Sequence, residues 1–557
     1  MGDPVRCGWA HRVIHVLVAA SALALLGCAT QPSQGGSSSG ASHQPASSAS
    51  AAGAARHGGH KVSPYFRTVT STTSGSVTVE GKTIRYHAVA GMLMVRPPGW
   101  NDATPRPTHK PGTLPTKASM FYVAYFKDGA RASRRPITFL YNGGPGSSSV
   151  WLHMGAFGPR RVVTADHTHT SPAPYKVVNN DYSLLDASDL VFVDAPGTGF
   201  GRLEGKGAAK AFFGADPDVH AFSQFITEFL SKYGRWNSPK YLFGESYGTP
   251  RSANLINVLE THDNIDFNGV ILLSQILNYD DSTGLVRFNP GVDLPYELAL
   301  PSYAATAWYH HKLPDSTQPL KPLLAKVEHF ALTDYAQALR EGSMLGAADR
   351  QAIAAKLHEY TGLPVAYILK ANLRIDGGQF EHELLSGADE TTGRLDSRFA
   401  GPSLDPLSER AEYDPQSAAI SSAYVSAFNT YVRKDLDYGA GMYYRPDLPI
   451  YRTWNFRHRQ PGVKFDLPRA LNVMPDLANA MKRDPKLKVM LNGGYFDLAT
   501  PFYQGMYEMA HLPMERRLQA NIQYHYYESG HMVYVHVPAL KQLHDNVAAF
   551  IAQTAHQ

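Results

Sequence analysis

Cysteine is nearly absent from this chain. Its 557 residues include two, Cys7 and Cys28, both close to the amino terminus. The rest of the chain therefore cannot hold an internal disulfide, and its stability has to come from a packed core. An excess of one charge is missing too: 52 basic residues face 48 acidic ones, a net charge of +4. That balance removes the electrostatic case for a nucleic-acid partner. Long apolar runs are confined to Val13–Leu26, interrupted by His15 and Ser21. This run is too short to span a bilayer comfortably and has the shape of a signal-peptide core behind Arg6 and Arg12.

The apolar run ends Leu25-Leu26-Gly27-Cys28. It resembles a bacterial lipoprotein signal, in which the cysteine is freed by cleavage and acylated. An ordinary secretory signal with an incidental cysteine is the alternative. The first reading implies an exported protein of the cell envelope, held to a membrane through Cys28. Ala29 is not the acidic residue linked to inner-membrane retention, which favours the outer membrane or periplasm. Residues 29–62 are rich in Ser, Gly and Ala and poor in large apolar side chains. They read as a flexible tether, with His43, His57 and His60 solvated rather than ligating.

Past residue 62 the pattern alternates. Residues 75–96 carry β-branched alternation around Glu80-Gly81-Lys82, the signal of a hairpin. Met120–Lys127, Pro136–Tyr141, Leu190–Val193, Tyr241–Phe243 and Val270–Leu273 read as strands. Residues 218–233 and 250–259 read as helices. Strands alternating with helices predict an α/β fold with a mostly parallel central sheet covered on both faces. Residues 281–470 break the alternation with helical stretches at 322–358 and 415–438, and read as a largely helical inserted cap. The sheet domain, begun at 63–280, resumes at 471–557 with strands at 488–491 and 522–527 and a last helix near 537–553.

The chemistry concentrates at the ends of strands. Gly244-Glu245-Ser246-Tyr247-Gly248 stands between a strand and a helix, the context of a nucleophile elbow in the α/β-hydrolase fold. A serine needs a base, and in this fold the acid comes next in the chain and the histidine last. Asp497 follows an apolar strand in Asn492-Gly-Gly-Tyr-Phe-Asp, and His531 follows the next strand in Gly530-His-Met. His511, His525 and the pair His310-His311 could compete, but among these only His531 follows a glycine on a strand-end loop. Asn142-Gly-Gly-Pro-Gly146, after an early strand, can offer a backbone N–H to an oxyanion, and the N–H of Tyr247 can offer a second. His167 and His169 lie in a polar loop and read as solvated. The reaction these groups imply requires no metal and no cofactor.

Taken together, Asn142-Gly-Gly-Pro-Gly, Asp194-Ala-Pro-Gly-Thr-Gly-Phe-Gly201, Gly244-Glu-Ser-Tyr-Gly, Asn492-Gly-Gly-Tyr-Phe-Asp and Gly530-His-Met resemble the serine carboxypeptidase family, peptidase family S10, in order and spacing. The stretch Tyr141–Arg161 looks like the family's bacterial branch. The resemblance implies peptide substrates, a Ser246–His531–Asp497 triad and an oxyanion hole at Gly144 and Tyr247. It also implies that Asn142 and Glu245 bind the substrate's terminal carboxylate. Two carboxyl groups can share that site only when one is protonated. The chain departs from the pattern at Leu140, Ser147 and Ala156. Ala156 replaces a second acid of the carboxylate site. An esterase or acyltransferase on the same fold is therefore the first alternative. A surface-anchored binding protein on an inactive scaffold is the second.

Overall fold

A computed structural model of the chain describes residues 63–99, 115–284, 286, 289–466 and 470–556. The signal segment, Cys28 and the tether over 29–62 lie outside the described residues. Among those described, no helix is long and apolar enough to cross a membrane.

The sheet begins with a hairpin, β1 (Thr70–Val79) and β2 (Lys82–Val95), joined by Glu80-Gly81. β3 (Lys117–Lys127) pairs antiparallel with β2 and with β5 (Asp189–Val193). From β5 onward the pairing is parallel, through β4 (Ile137–Tyr141), β6 (Lys240–Glu245), β7 (Gly269–Leu273), β8 (Lys488–Gly494) and β9 (Ile522–Tyr527). The spatial order is β1-β2-β3-β5-β4-β6-β7-β8-β9, with a short strand at Leu203–Glu204 beside β3. The mixed, mostly parallel sheet is that of the α/β-hydrolase architecture.

Successive side chains of the central strands enter different cores, as the pleat requires. Phe139, Leu242, Val270 and Leu272 join α1 (Ala215–Lys232), α2 (Gly248–His262) and a later helix, Met474–Arg483, on one face. Leu140, Phe243, Ile271 and Leu273 join the C-terminal helix, Val537–Thr554, on the other. The apolar stripe of α1, Val219, Phe222, Phe225, Ile226 and Phe229, is buried as its spacing predicts.

The insertion has a core of its own. Helix α3 (Leu294–Tyr309) packs with the helical run over 320–385 through residues such as Leu300, Tyr303, Leu323, Val327, Leu357 and Phe380. The expected long helix over 322–358 is broken into pieces, with a wider turn at Ala331–Tyr335 and a left-handed residue at Gly342. The second half of the insertion packs elsewhere. Helix α4 (Pro415–Lys434) buries Ile420, Tyr424, Phe428 and Tyr431 with the sheet core. A two-stranded hairpin, Glu390–Thr392 with Ala400–Pro402, leads into it.

Candidate active site

The parallel strands β4, β6, β8 and β9 all run out at one edge, where open α/β sheets place their ligands. Each delivers a site residue. β6 ends at Glu245, and Ser246 follows with φ of +60°, the left-handed conformation of a strand-to-helix elbow. The turn is possible because Gly244 has no side chain: a Cβ there would stand 2.1 Å from the Gly248 carbonyl oxygen. The backbone N–H of Ser246 donates to Leu273 O at 3.0 Å, tying the elbow to β7.

Asp497 and His531 are brought together. His531 Nδ1 lies 2.7 Å from Asp497 Oδ2. An ionised carboxylate only accepts, so Nδ1 carries the proton and Nε2 of the neutral ring is the basic nitrogen. Asp497 is fully buried and its other bonds come from the Ala499 and Thr500 N–H groups at 2.8 and 3.0 Å and the Thr500 hydroxyl at 2.7 Å. Burial disfavours a charged His531 ring, but the Asp497 charge and hydrogen bond, with Glu245, outweigh it and raise the pKa above the ordinary histidine value. A base raised this way is poised to hold the proton it removes.

Ser246 and His531 line one cavity of about 700 Å³ together with Asn142, Gly143, Gly144 and Glu245. Gly143 abuts the elbow so closely that a Cβ would lie 2.2 Å from Tyr247 N. Among the described residues, no hydrogen bond occupies the backbone N–H of Gly144 or of Tyr247. Both are therefore unoccupied donors flanking the elbow, and Gly144 lines the cavity beside Ser246.

The Asn142 loop is held from beneath by Arg251, a residue the sequence patterns did not single out. Its guanidinium pairs with Asp218 at 2.6 Å, donates to Asn142 O at 2.8 Å and lies 4.4 Å from the Phe222 ring centroid. The available signal was an arginine four residues after Tyr247 in an otherwise apolar helix face. Asn142 Oδ1 accepts from Leu152 N–H at 3.2 Å, and the side chain stands beside the Glu245 carboxyl and the Tyr534 hydroxyl.

Glu245 is buried beside the nucleophile. Burial raises its carboxyl to about 7, with lesser opposing effects from His531, Tyr534 and Asn142. Its Oε2 has no hydrogen-bond partner among the described residues. Ala156, which the resemblance sets against a second acid, is fully buried in the wide turn Leu152–Phe157. Tyr534, three residues beyond His531, supplies a polar neighbour to Glu245 that the sequence motifs did not reveal.

Two of the rival histidines are committed elsewhere. His310 Nε2 lies 2.6 Å from Ser397 O, and His511 Nδ1 lies 2.7 Å from Tyr507 O. His525 sits within β9. No cluster of His, Cys, Asp and Glu among the described residues is arranged to hold a metal ion.

The profile described as serine carboxypeptidase matches residues 102–292, which contain the Asn142 loop and the Ser246 elbow. The chain is 29% identical to the pheromone-processing carboxypeptidase KEX1 of Cryptococcus gattii over 170 residues, covering 27% of this chain and 24% of that protein. It is 25% identical to serine carboxypeptidase-like 34 of Arabidopsis thaliana over 180 residues, covering 30% of this chain and 34% of the relative. The chain thus spans about a quarter to a third of the length of the curated relatives it matches. Among solved structures, a proline iminopeptidase of Mycobacterium smegmatis aligns at 12% identity and a TM-score of 0.32, covering 87% of this chain and 99% of that one.

Proposed function

We propose that this chain, whose residues 102–292 belong to the serine carboxypeptidase family, is a serine hydrolase that removes C-terminal residues from peptides. The observation that carries the reading is a buried, half-satisfied Glu245 next to Ser246, in a cavity shared with His531. Such a carboxyl, neutral below about pH 7, can donate its proton to a substrate carboxylate while Asn142 Nδ2 donates beside it.

In this mechanism His531 Nε2 takes the proton of Ser246 as the serine oxygen attacks the scissile carbonyl carbon. Asp497 holds the Nδ1–H tautomer and stabilises the imidazolium. The oxyanion accepts from the N–H groups of Gly144 and Tyr247. His531 then protonates the leaving amine, the C–N bond breaks, and an acyl-enzyme remains. Water, deprotonated by His531, releases the acid.

A second reading, an esterase or acyltransferase, draws on Ala156, which leaves the carboxylate site with one acid. Rates on a blocked dipeptide, its C-terminal amide and a simple ester separate the two. The carboxypeptidase reading predicts a strong preference for the free acid. Equal rates on acid and amide contradict it. The N-terminal pattern supports an exported enzyme anchored through Cys28; incorporation of labelled fatty acid, lost in Cys28→Ala, is the matching test.

A further inference from the structure

Two charged side chains open into the catalytic cavity without a task in that mechanism, Asp447 and Arg394. Arg394 lines the cavity from the insertion, just after the strand Glu390–Thr392. An exposed arginine is ordinarily a solvated surface cation. Three observations set this one apart.

Its backbone is fixed to the catalytic loops. The Arg394 carbonyl accepts from Leu498 N–H at 3.0 Å, next to Asp497, and the Leu395 carbonyl accepts from His531 N–H at 2.6 Å. The guanidinium is thus carried by a segment that also braces the acid and the base. Second, it has no salt-bridge partner among the described residues. Two acids of the surrounding segments, Asp414 and Glu381, stand near it without pairing with the guanidinium. Asp414 accepts from the Arg394 N–H at 2.8 Å and from the Ser417 N–H at 3.0 Å, capping α4. Glu381 is buried, which raises its carboxyl to about 7 against the opposing charge of Arg394, and the two form no salt bridge. Third, Arg394 and Glu245 lie toward opposite ends of the α4 face that lines the cavity. The Arg394 N–H bonds Asp414 at the start of α4, whereas Tyr424, about 15 Å further along the helix, packs on Trp151 and meets Tyr534, the neighbour of Glu245, over Gly155. Arg394 therefore lies across the cavity from Glu245. If the leaving amino acid lies over Asn142 and Glu245, the acyl portion of the substrate lies on the Arg394 side.

We propose that Arg394 is a specificity residue that selects an aspartate or glutamate side chain on the residue donating the acyl group. The inference rests on the peptidase reading above. A planar guanidinium can bind such a carboxylate through two parallel N–H donors, a match that glutamine or a neutral side chain does not provide.

The test compares kcat/KM for blocked dipeptides that carry Glu, Gln or Lys in the acyl position and a constant leucine at the C-terminus, each also as the amide. The wild-type enzyme is expected to prefer Glu over Gln by about 10- to 100-fold. Arg394→Ala should bring that ratio close to one, Arg394→Lys should retain part of it, and Arg394→Glu should shift the preference to Lys. A wild-type enzyme that hydrolyses the Gln peptide without favouring Glu overturns this inference and leaves the peptidase reading standing. So does Arg394→Ala that changes the acid-to-amide ratio instead, since that assigns the guanidinium to the terminal carboxylate. If no peptide is cleaved while a fluorophosphonate still labels Ser246, the peptidase reading fails and takes this inference with it.

Discussion

Glu245 offers a quantitative test because its proton is the proposed binding element. Its carboxyl is raised to about 7 by burial. The substrate's α-carboxyl, with an ordinary pKa near 3.5, is ionised throughout the useful range. On the proposed reading, the site binds that carboxylate when Glu245 is neutral. From the raised value of about 7, the neutral fraction is about 99% at pH 5 and about 9% at pH 8. The ratio of kcat/KM for a peptide acid over its amide should therefore fall about tenfold across that interval. Both substrates use Ser246 and His531, so the titration of His531 cancels in the ratio. Glu245→Gln keeps a donor at every pH and should flatten the ratio. The assay is a pair of pH profiles on wild type and variant. A flat wild-type ratio, or a slope that survives in Glu245→Gln, refutes the role assigned to the proton. Linkage gives a second readout. A folded-state value raised from 4.5 to about 7 means stability present below the unfolded value is lost as pH rises through the folded one. Glu245→Gln should therefore gain stability over wild type at pH 8, by at most about 3 kcal/mol, and little at pH 4.

Other residues carry separate expectations. Gly143→Ala puts a Cβ 2.2 Å from Tyr247 N, displacing an oxyanion donor, and should lower kcat at least about 10²-fold in a peptidase assay. Arg251→Met leaves Asp218 buried without its partner and should cost about 3–5 kcal/mol, read as a lower urea midpoint. His458 stands between Asp216 at 2.6 Å and Asp476 at 2.8 Å. Burial lowers its pKa but these two acids outweigh it and hold it at about 9. Its stabilisation is present below the unfolded value and lost as pH rises through about 9. His458→Gln should thus lower Tm strongly at pH 6 and much less above pH 9, measured by calorimetry.

What could be seen in the sequence follows from how local each signal is. The elbow was legible because a strand, two glycines and a helix start must coincide within a few residues around Ser246. Asp497 and His531 were legible because each follows an apolar strand by a short loop. The insertion was harder. Helix α4 shows its apolar stripe through Ile420, Tyr424 and Phe428, yet periodicity says that one face is buried, not against what; it packs on the sheet and not with α3. Gly342 adopts φ of +57° and interrupts a helical run whose composition gives no stop beyond that glycine. Arg394 and Tyr534 were invisible for a different reason. Their places depend on contacts between segments far apart in the chain, such as the 2.6 Å bond from His531 N–H to Leu395 O.

On the proposed reading, Ser246 is the nucleophile of an acyl transfer assisted by His531. Intact-protein mass spectrometry after treatment with a serine-directed fluorophosphonate tests it most directly. One adduct on the wild-type protein, mapped to Ser246 and absent from folded Ser246→Ala, is the predicted result. No adduct on the folded wild type, or an equal adduct on Ser246→Ala, contradicts the account.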